Sequence, residues 1–152
     1  MPKPVQVLPL PRGRSHDDPR TWTNVLADVP MFSGLSARHL RKVAELGRIR
    51  RFHDGETIMK AGEPGDAMHV ILDGAVSVRP PGRRNATVGI GGFVGELALL
   101  DDGPRTATVI ATKPVVTLTV TRASFCRLMR TEPSIALAVA EELARRLRAT
   151  SL

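Results

Sequence analysis

The stretch Phe93-Val94-Gly95-Glu96-Leu97-Ala98-Leu99-Leu100-Asp101-Asp102-Gly103-Pro104-Arg105-Thr106-Ala107-Thr108-Val109 decides how the rest of the chain is read. It holds one carboxylate, Glu96, directly after Gly95 and ahead of an apolar run, Leu97 to Leu100. It holds one guanidinium, Arg105, directly after Pro104. The apolar run is too short and too close to glycine for a core helix. It reads as a single helical turn whose free backbone N–H groups face an anion, an arrangement suited to phosphate.

Upstream of this stretch the period of the sequence is two. Ile49 and Phe52 enter a strand and His53-Asp54-Gly55 turns it. Thr57 to Met59, Met68 to Leu72, Ala75 to Val78 and Ala86 to Ile90 read as strands. They are separated by Gly-rich or Pro-rich reversals such as Ala61-Gly62-Glu63-Pro64-Gly65-Asp66 and Pro80-Pro81-Gly82. Downstream, Ala107 to Ala111 and Val115 to Val120 continue the pattern. Seven or more short strands at this spacing predict an antiparallel sandwich or barrel of the jelly-roll kind over 48–120.

Helices bracket the strands. Asp18-Pro19 is an N-cap with proline at the first helical position, opening a short helix through Trp22, Val25 and Leu26. Ser36 caps a second helix with Leu40, Val43, Ala44 and Leu46 on its apolar side, and Gly47 stops it. These N-terminal helices occupy 18–47. At the other end Thr121 caps a helix over Ala123 to Arg130, and Pro133 opens the last one. Ile135, Val139, Leu143 and Leu147 recur every four residues there as an apolar stripe. The C-terminal helices span 122–150. Residues 1–17 are rich in proline and arginine, lack periodicity and are expected to be a flexible tail. The prediction is therefore one α+β domain over 18–152.

Composition narrows the function classes. The 42% apolar fraction fits a globular chain. Five aromatics argue against stacked recognition of single strands. One cysteine, Cys126, excludes an internal disulfide and suits a reducing cytoplasm. The net charge of +7 comes from basic residues spread along the chain, with 18 arginines against 4 lysines, rather than from one stripe on a reading helix. No signal-peptide core is visible in the proline-broken start, and no apolar run is long enough to span a bilayer. A cytoplasmic location is expected.

Three pieces in order carry a family resemblance. Gly95-Glu96-Leu97-Ala98-Leu99 with Pro104-Arg105-Thr106-Ala107-Thr108 resembles the phosphate-binding cassette of cyclic nucleotide-binding domains. Pro30-Met31-Phe32-Ser33-Gly34-Leu35 is similar to that family's entry segment, and Gly62 through Gly74 to its Gly-rich turn and following strand. The likeness covers roughly Val29 to Leu152. Val94 departs from it, since many members carry an aromatic there. The resemblance implies a β-roll with flanking helices that binds a cyclic nucleotide, cAMP or cGMP, with no cofactor, no metal and no catalytic residues.

The chemistry agrees with that implication. A planar guanidinium matches two phosphate oxygens at once, so Arg105 is expected to take the cyclic phosphate. Backbone N–H groups of Leu97, Ala98, Thr106 and Ala107 would complete the cradle, with small side chains at 98 and 107 allowing close approach. Glu96 is placed to accept from the ribose 2′-hydroxyl. The alternative for Glu96 and Arg105 is a mutual salt bridge at the rim of the roll.

The resemblance also implies base contacts from the final helix. Thr150 and Ser151 match a purine-touching pair in bacterial catabolite-activator-type regulators, and Arg148 matches the lid of channel members. Thr106 bears on the choice between cAMP, which is favoured, and cGMP. The expected partners are the nucleotide and a protein effector or second copy met through the last helix, which would move on binding. Neither a specific nucleic acid nor a membrane is expected as partner.

Two other functions compete with this one. A catabolite-activator-type transcription regulator would need a helix-turn-helix beyond the last helix. A cupin-like metalloenzyme would need clustered ligands, and His16, His39, His53 and His69 are scattered over four elements. His69 is expected to be a packed or surface residue, and no Ser–His–Asp or Cys–His constellation is arguable.

Overall fold

The computed structural model describes residues 18–150. The expected tail and Ser151 lie outside them. Helix α1, Pro19–Ala27, starts as its cap residue predicts, with the Asp18 side chain accepting from the Arg20 amide. A 3₁₀ turn, Pro30–Phe32, leads to α2, Ala37–Glu45, where Ser36 accepts from the His39 amide. Strands β1 Arg48–Phe52, β2 Thr57–Met59, β3 Ala67–Asp73, β4 Val76–Arg79 and β5 Ala86–Val88 follow. The two-residue β6, Phe93–Val94, then enters a second 3₁₀ turn, Glu96–Leu99. Strands β7 Thr108–Ala111 and β8 Val115–Thr121 lead to α3, Arg122–Thr131, and α4, Pro133–Thr150.

The eight strands form two antiparallel four-stranded sheets, ordered β1-β8-β3-β6 and β2-β7-β4-β5. This is the expected jelly roll with helices at both ends of the chain. The strand β6 was not expected as such, because Phe93 and Val94 belong to the stretch read as a ligand-binding turn. Two residues carry no alternation to detect. Its pairing is nevertheless definite, with Val94 opposite His69 and Phe93 opposite Val70.

Strand β3 is buried along six of its seven residues because it serves two cores. Met68, Val70 and Leu72 join the core between the first sheet and the helices, with Leu26, Phe32, Val43, Leu118, Phe125 and Ile135. Ile71 points the other way, into the interior of the roll with Phe52, Val76, Val94 and Val109. Burying a side chain of this size contributes about 1.5–3 kcal/mol. Phe32 and Phe125 pack at 5.7 Å between ring centroids and lock the entry turn to α3.

Helix α4 is engaged along part of its length. Ile135 and Val139 are buried, but Leu137 and Leu147 are 61% and 66% exposed. The apolar stripe read from the sequence therefore leaves the domain before it reaches Leu147. Among the described residues no helix is long and apolar enough to cross a membrane.

Candidate functional site

The 93–109 segment folds as one turn of helix and a tight return. Gly95 is left-handed at φ 76°, ψ 22°, which reverses the chain out of β6. The Ala98 amide donates to the Gly95 carbonyl at 3.1 Å, and the Leu100 amide to Leu97 at 3.0 Å. Leu99 anchors the turn in the helix-side core. Asp101 then accepts from the Gly103 amide at 3.0 Å, closing an Asx turn before Pro104.

Arg105 is fixed from both ends. Its amide donates to the Glu63 carbonyl at 2.7 Å, and its own carbonyl accepts from the Gly62 amide at 2.9 Å. Gly65 donates to Gly103, and Pro64 bridges Pro104. The Gly-rich reversal between β2 and β3 thus pairs with the segment that carries the arginine. The Arg105 side chain is 8% exposed. One terminal nitrogen, Nη2, donates to the Ala67 carbonyl at 2.8 Å, and Nη1 lies 3.5 Å from that of Gly95. The nearest carboxylate, Asp66 at 3.9 Å, is 93% exposed, so solvent screens the pair. Burial pushes the guanidinium pKa below its ordinary value, and Asp66 partly opposes this.

Two glycines make room for that side chain. A Cβ on Gly95 would stand 2.4 Å from Arg105 Nη1, in a backbone conformation that already disfavours side chains. A Cβ on Gly65 would press on Ala98 Cβ at 3.0 Å and on Arg105 Cδ at 3.1 Å.

Arg105 opens into a cavity of about 550 Å³, within the range of small-molecule sites. All seven residues expected to hold the ligand line it: Gly95, Glu96, Leu97 and Ala98 from the helical turn, and Arg105, Thr106 and Ala107 from the return. Met59, Val78, Val88 and Val109 add an apolar wall from four strands of the second sheet and its neighbours. No hydrogen bond or ion pair engages the Glu96 carboxylate among the described residues, so the salt bridge to Arg105 weighed from sequence is not formed. The amides of Leu97, Thr106 and Ala107 likewise have no acceptor among the described residues. The Ala98 amide differs from expectation, since the turn itself consumes it.

Beside this cavity lies a buried polar row. His69, 3% exposed, meets Thr119 Oγ1 through Nδ1 at 3.0 Å, and Thr119 meets Thr117 at 2.9 Å. Burial, then the charges of Arg105 and Arg50, lower the His69 pKa to about 3. His69 is therefore neutral at neutral pH and adds no positive charge beside the arginine.

The last helix approaches the cavity through residues other than those expected. Leu143 and Arg146 line a smaller cavity of about 170 Å³ together with Phe93, Glu96 and Leu97, which also line the larger one. Arg146 is held by Glu142 at 3.3 Å. Arg148 and Thr150 are exposed on the final turn and line neither cavity, and the Thr150 hydroxyl bonds back to Arg146 and Leu147 carbonyls. Ser151 lies outside the described residues. Among the described residues no three His, Cys, Asp or Glu side chains gather as a metal-holding group.

The family profile described as "Cyclic nucleotide-binding domain" matches residues 49–132, more than half of the chain. The chain belongs to the cyclic nucleotide-binding domain family. Within this family it is similar to a cyclic nucleotide-gated potassium channel of Mesorhizobium japonicum, 37% identical over 81% of this chain and 34% of the channel. It is also similar to a cAMP-dependent protein kinase regulatory subunit of Hypocrea atroviridis, 33% identical over 72% of this chain and 24% of the subunit. The domain thus spans about a quarter to a third of the length of these relatives. Among solved structures it resembles the N-terminal domain of a transcriptional regulator from Streptomyces coelicolor, with TM-score 0.75 and 33% identity, covering 84% of this chain and 92% of that one. The cyclic nucleotide-binding profile takes in the roll from the second residue of β1 onward, the Arg105 segment and α3.

Proposed function

We propose that this domain senses a 3′,5′-cyclic nucleotide, cAMP in preference to cGMP, and acts by binding rather than by catalysis. The reading rests on one observation: a buried guanidinium and an unengaged carboxylate line the same ligand-sized cavity. Arginine has five N–H donors, and carbonyls take two of those on Arg105. Those left take the phosphate, helped by the Leu97, Thr106 and Ala107 amides. Glu96 accepts from the 2′-hydroxyl, Gly95 and Ala98 let the ring approach, and the apolar wall receives the purine. The preference for cAMP is supported by the likeness to a cAMP-dependent regulatory subunit.

Helix α4 is the output. Leu143 and Arg146 already border Glu96, so ligand at Glu96 changes what α4 packs against. Closure would draw in Arg148, Thr150 and Ser151, and the moved helix would meet a cytoplasmic protein effector or a second copy. Titration calorimetry with cAMP, cGMP and 2′-deoxy-cAMP tests the site. The expected order is cAMP tightest and the deoxy analogue weakest; no binding of any of the three at tens of micromolar ends the reading.

A second reading, that the domain is the sensing part of a transcription regulator, draws on the Streptomyces likeness. It requires sequence-preferring gel shifts that survive moderate salt.

A further inference from the structure

Glu132 is the single residue between α3 and α4, with a non-helical backbone at φ −129°, ψ 76°. Its amide closes α3 on the Leu128 carbonyl at 2.8 Å, and its carbonyl receives the Ile135 amide at 3.0 Å to start α4. Its carboxylate is gripped by one face of α2. Arg38 Nη2 lies at 3.1 Å, Lys42 Nζ at 3.3 Å and His39 Nε2 at 3.8 Å. The same His39 nitrogen is 3.4 Å from Ser134 Oγ on the first turn of α4. The Lys42 hydrogen bond, opposed by partial burial and aided by Arg38, holds the Glu132 carboxyl below the usual carboxylate range. An isolated exposed pair contributes little, but here three basic groups from one helix converge on a carboxylate that is 22% exposed.

The joint lies between two differently attached helices. Helix α3 is tied to the 93–109 segment and to the reversal that pairs with it: Cys126 Sγ reaches the Leu99 carbonyl at 3.8 Å, Arg122 meets Asp102 at 3.9 Å, and the Arg122 amide donates to the Asp66 carbonyl at 2.8 Å. Helix α4 is tied to the entry turn, where Ile135 and Val139 share a core with Met31 and Phe32. Any movement of α3 relative to α4 must bend at Glu132. With the joint as it stands, the cavity is open, and Arg105, Glu96 and the free amides all face it.

We propose that the contact of Glu132 with Arg38, His39 and Lys42 is a clasp that keeps the α3–α4 joint in its binding-competent arrangement. Its link to affinity rests on the cyclic-nucleotide reading, while its grip on the joint does not. Loosening the clasp lowers the competent fraction, and apparent affinity falls in proportion.

Hydrogen exchange on the full chain, without nucleotide, tests the grip. Glu132→Gln should speed exchange of amides 134–140 by about tenfold, as should the paired Arg38→Gln and Lys42→Gln changes. About 1 M NaCl should do the same to the wild type and add little to Glu132→Gln. Glu45→Gln, which removes a charge elsewhere on α2, should do nothing. Unchanged exchange in Glu132→Gln, or no salt effect on the wild type, overturns the clasp. Calorimetry then tests the link: Glu132→Gln should weaken cAMP binding about three- to tenfold. Faster exchange with unchanged or tighter binding overturns the link alone. A wild type that binds no cyclic nucleotide overturns the functional reading, and the exchange data still decide the clasp.

Discussion

Arg105 and the last two turns of α4 both carry guanidinium groups, yet the fold treats them in opposite ways. Arg105 is 8% exposed, bonded to two backbone carbonyls and seated against two glycines that leave it space. Arg145 and Arg146 are half or more exposed and bond to carboxylates of their own helix, and Leu147 beside them is 66% exposed. The first arrangement is held by two distant stretches of the chain, 62–67 and 95–98. The second is held by its own neighbours. On the proposed function this contrast is useful, since binding should not reorganise the Arg105 site while the last helix should be able to move.

Predictions that break this contrast begin with Arg105. Arg105→Ala should weaken cyclic-nucleotide binding by about 2–5 kcal/mol, thirtyfold or more by titration calorimetry. Gly95→Ala should lower stability by about 2 kcal/mol, because it adds left-handed strain and drives a methyl into Arg105; chemical denaturation reads this directly.

His69 offers a pH-dependent version. Its folded pKa of about 3 lies below its ordinary 6.5, so the unfolded chain takes up the proton first. The resulting stabilisation is complete above the unfolded value and is lost as pH falls towards the folded one. From about pH 7 to pH 5 this group alone should cost about 2 kcal/mol, and His69→Gln should remove that slope from denaturation curves.

Glu96→Gln should weaken cAMP binding by about tenfold, or 1.4 kcal/mol, and leave 2′-deoxy-cAMP nearly unaffected. The smallest effect is expected on the α4 side of the comparison. Leu147→Ser should shift stability by less than about 0.5 kcal/mol, because its side chain leaves the domain's core.

The parts of the molecule that sequence reveals are those set by near neighbours. Asp18, Ser36 and Thr121 each cap the helix they precede, and the Gly and Pro reversals separate the strands as expected. The Gly95-Glu96 and Pro104-Arg105 pairs likewise mark, through their local spacing, the segment that lines the cavity. Contributions from a distance are hidden. Gly65 makes room for Arg105 only because residues 62–65 pair with 103–105, about forty positions on, and no periodicity announces such a pairing. Met59, Val78 and Val88 line the cavity as well as packing on the roll's inner core, which depends on how their strands pair. The Ala98 amide is consumed because the turn tightens to 3₁₀ geometry. That Arg146 borders the smaller cavity and Arg148 does not depends on how α4 packs on the entry turn, a tertiary property.

The register of β1 against β8 bears on how this domain is made. Arg48 lies opposite Thr119 and Phe52 opposite Val115, so the first strand of the roll pairs with the last. That pairing closes a loop containing nearly the whole roll, and loop closure must be paid for before its contacts form. Folding dominated by such distant pairings takes milliseconds to seconds rather than microseconds. Until β8 leaves the ribosome, β1 has no partner on that edge. Its Arg48, Arg50 and Arg51 then keep a nascent strand from pairing with the wrong chain, before any ligand has a cavity to enter.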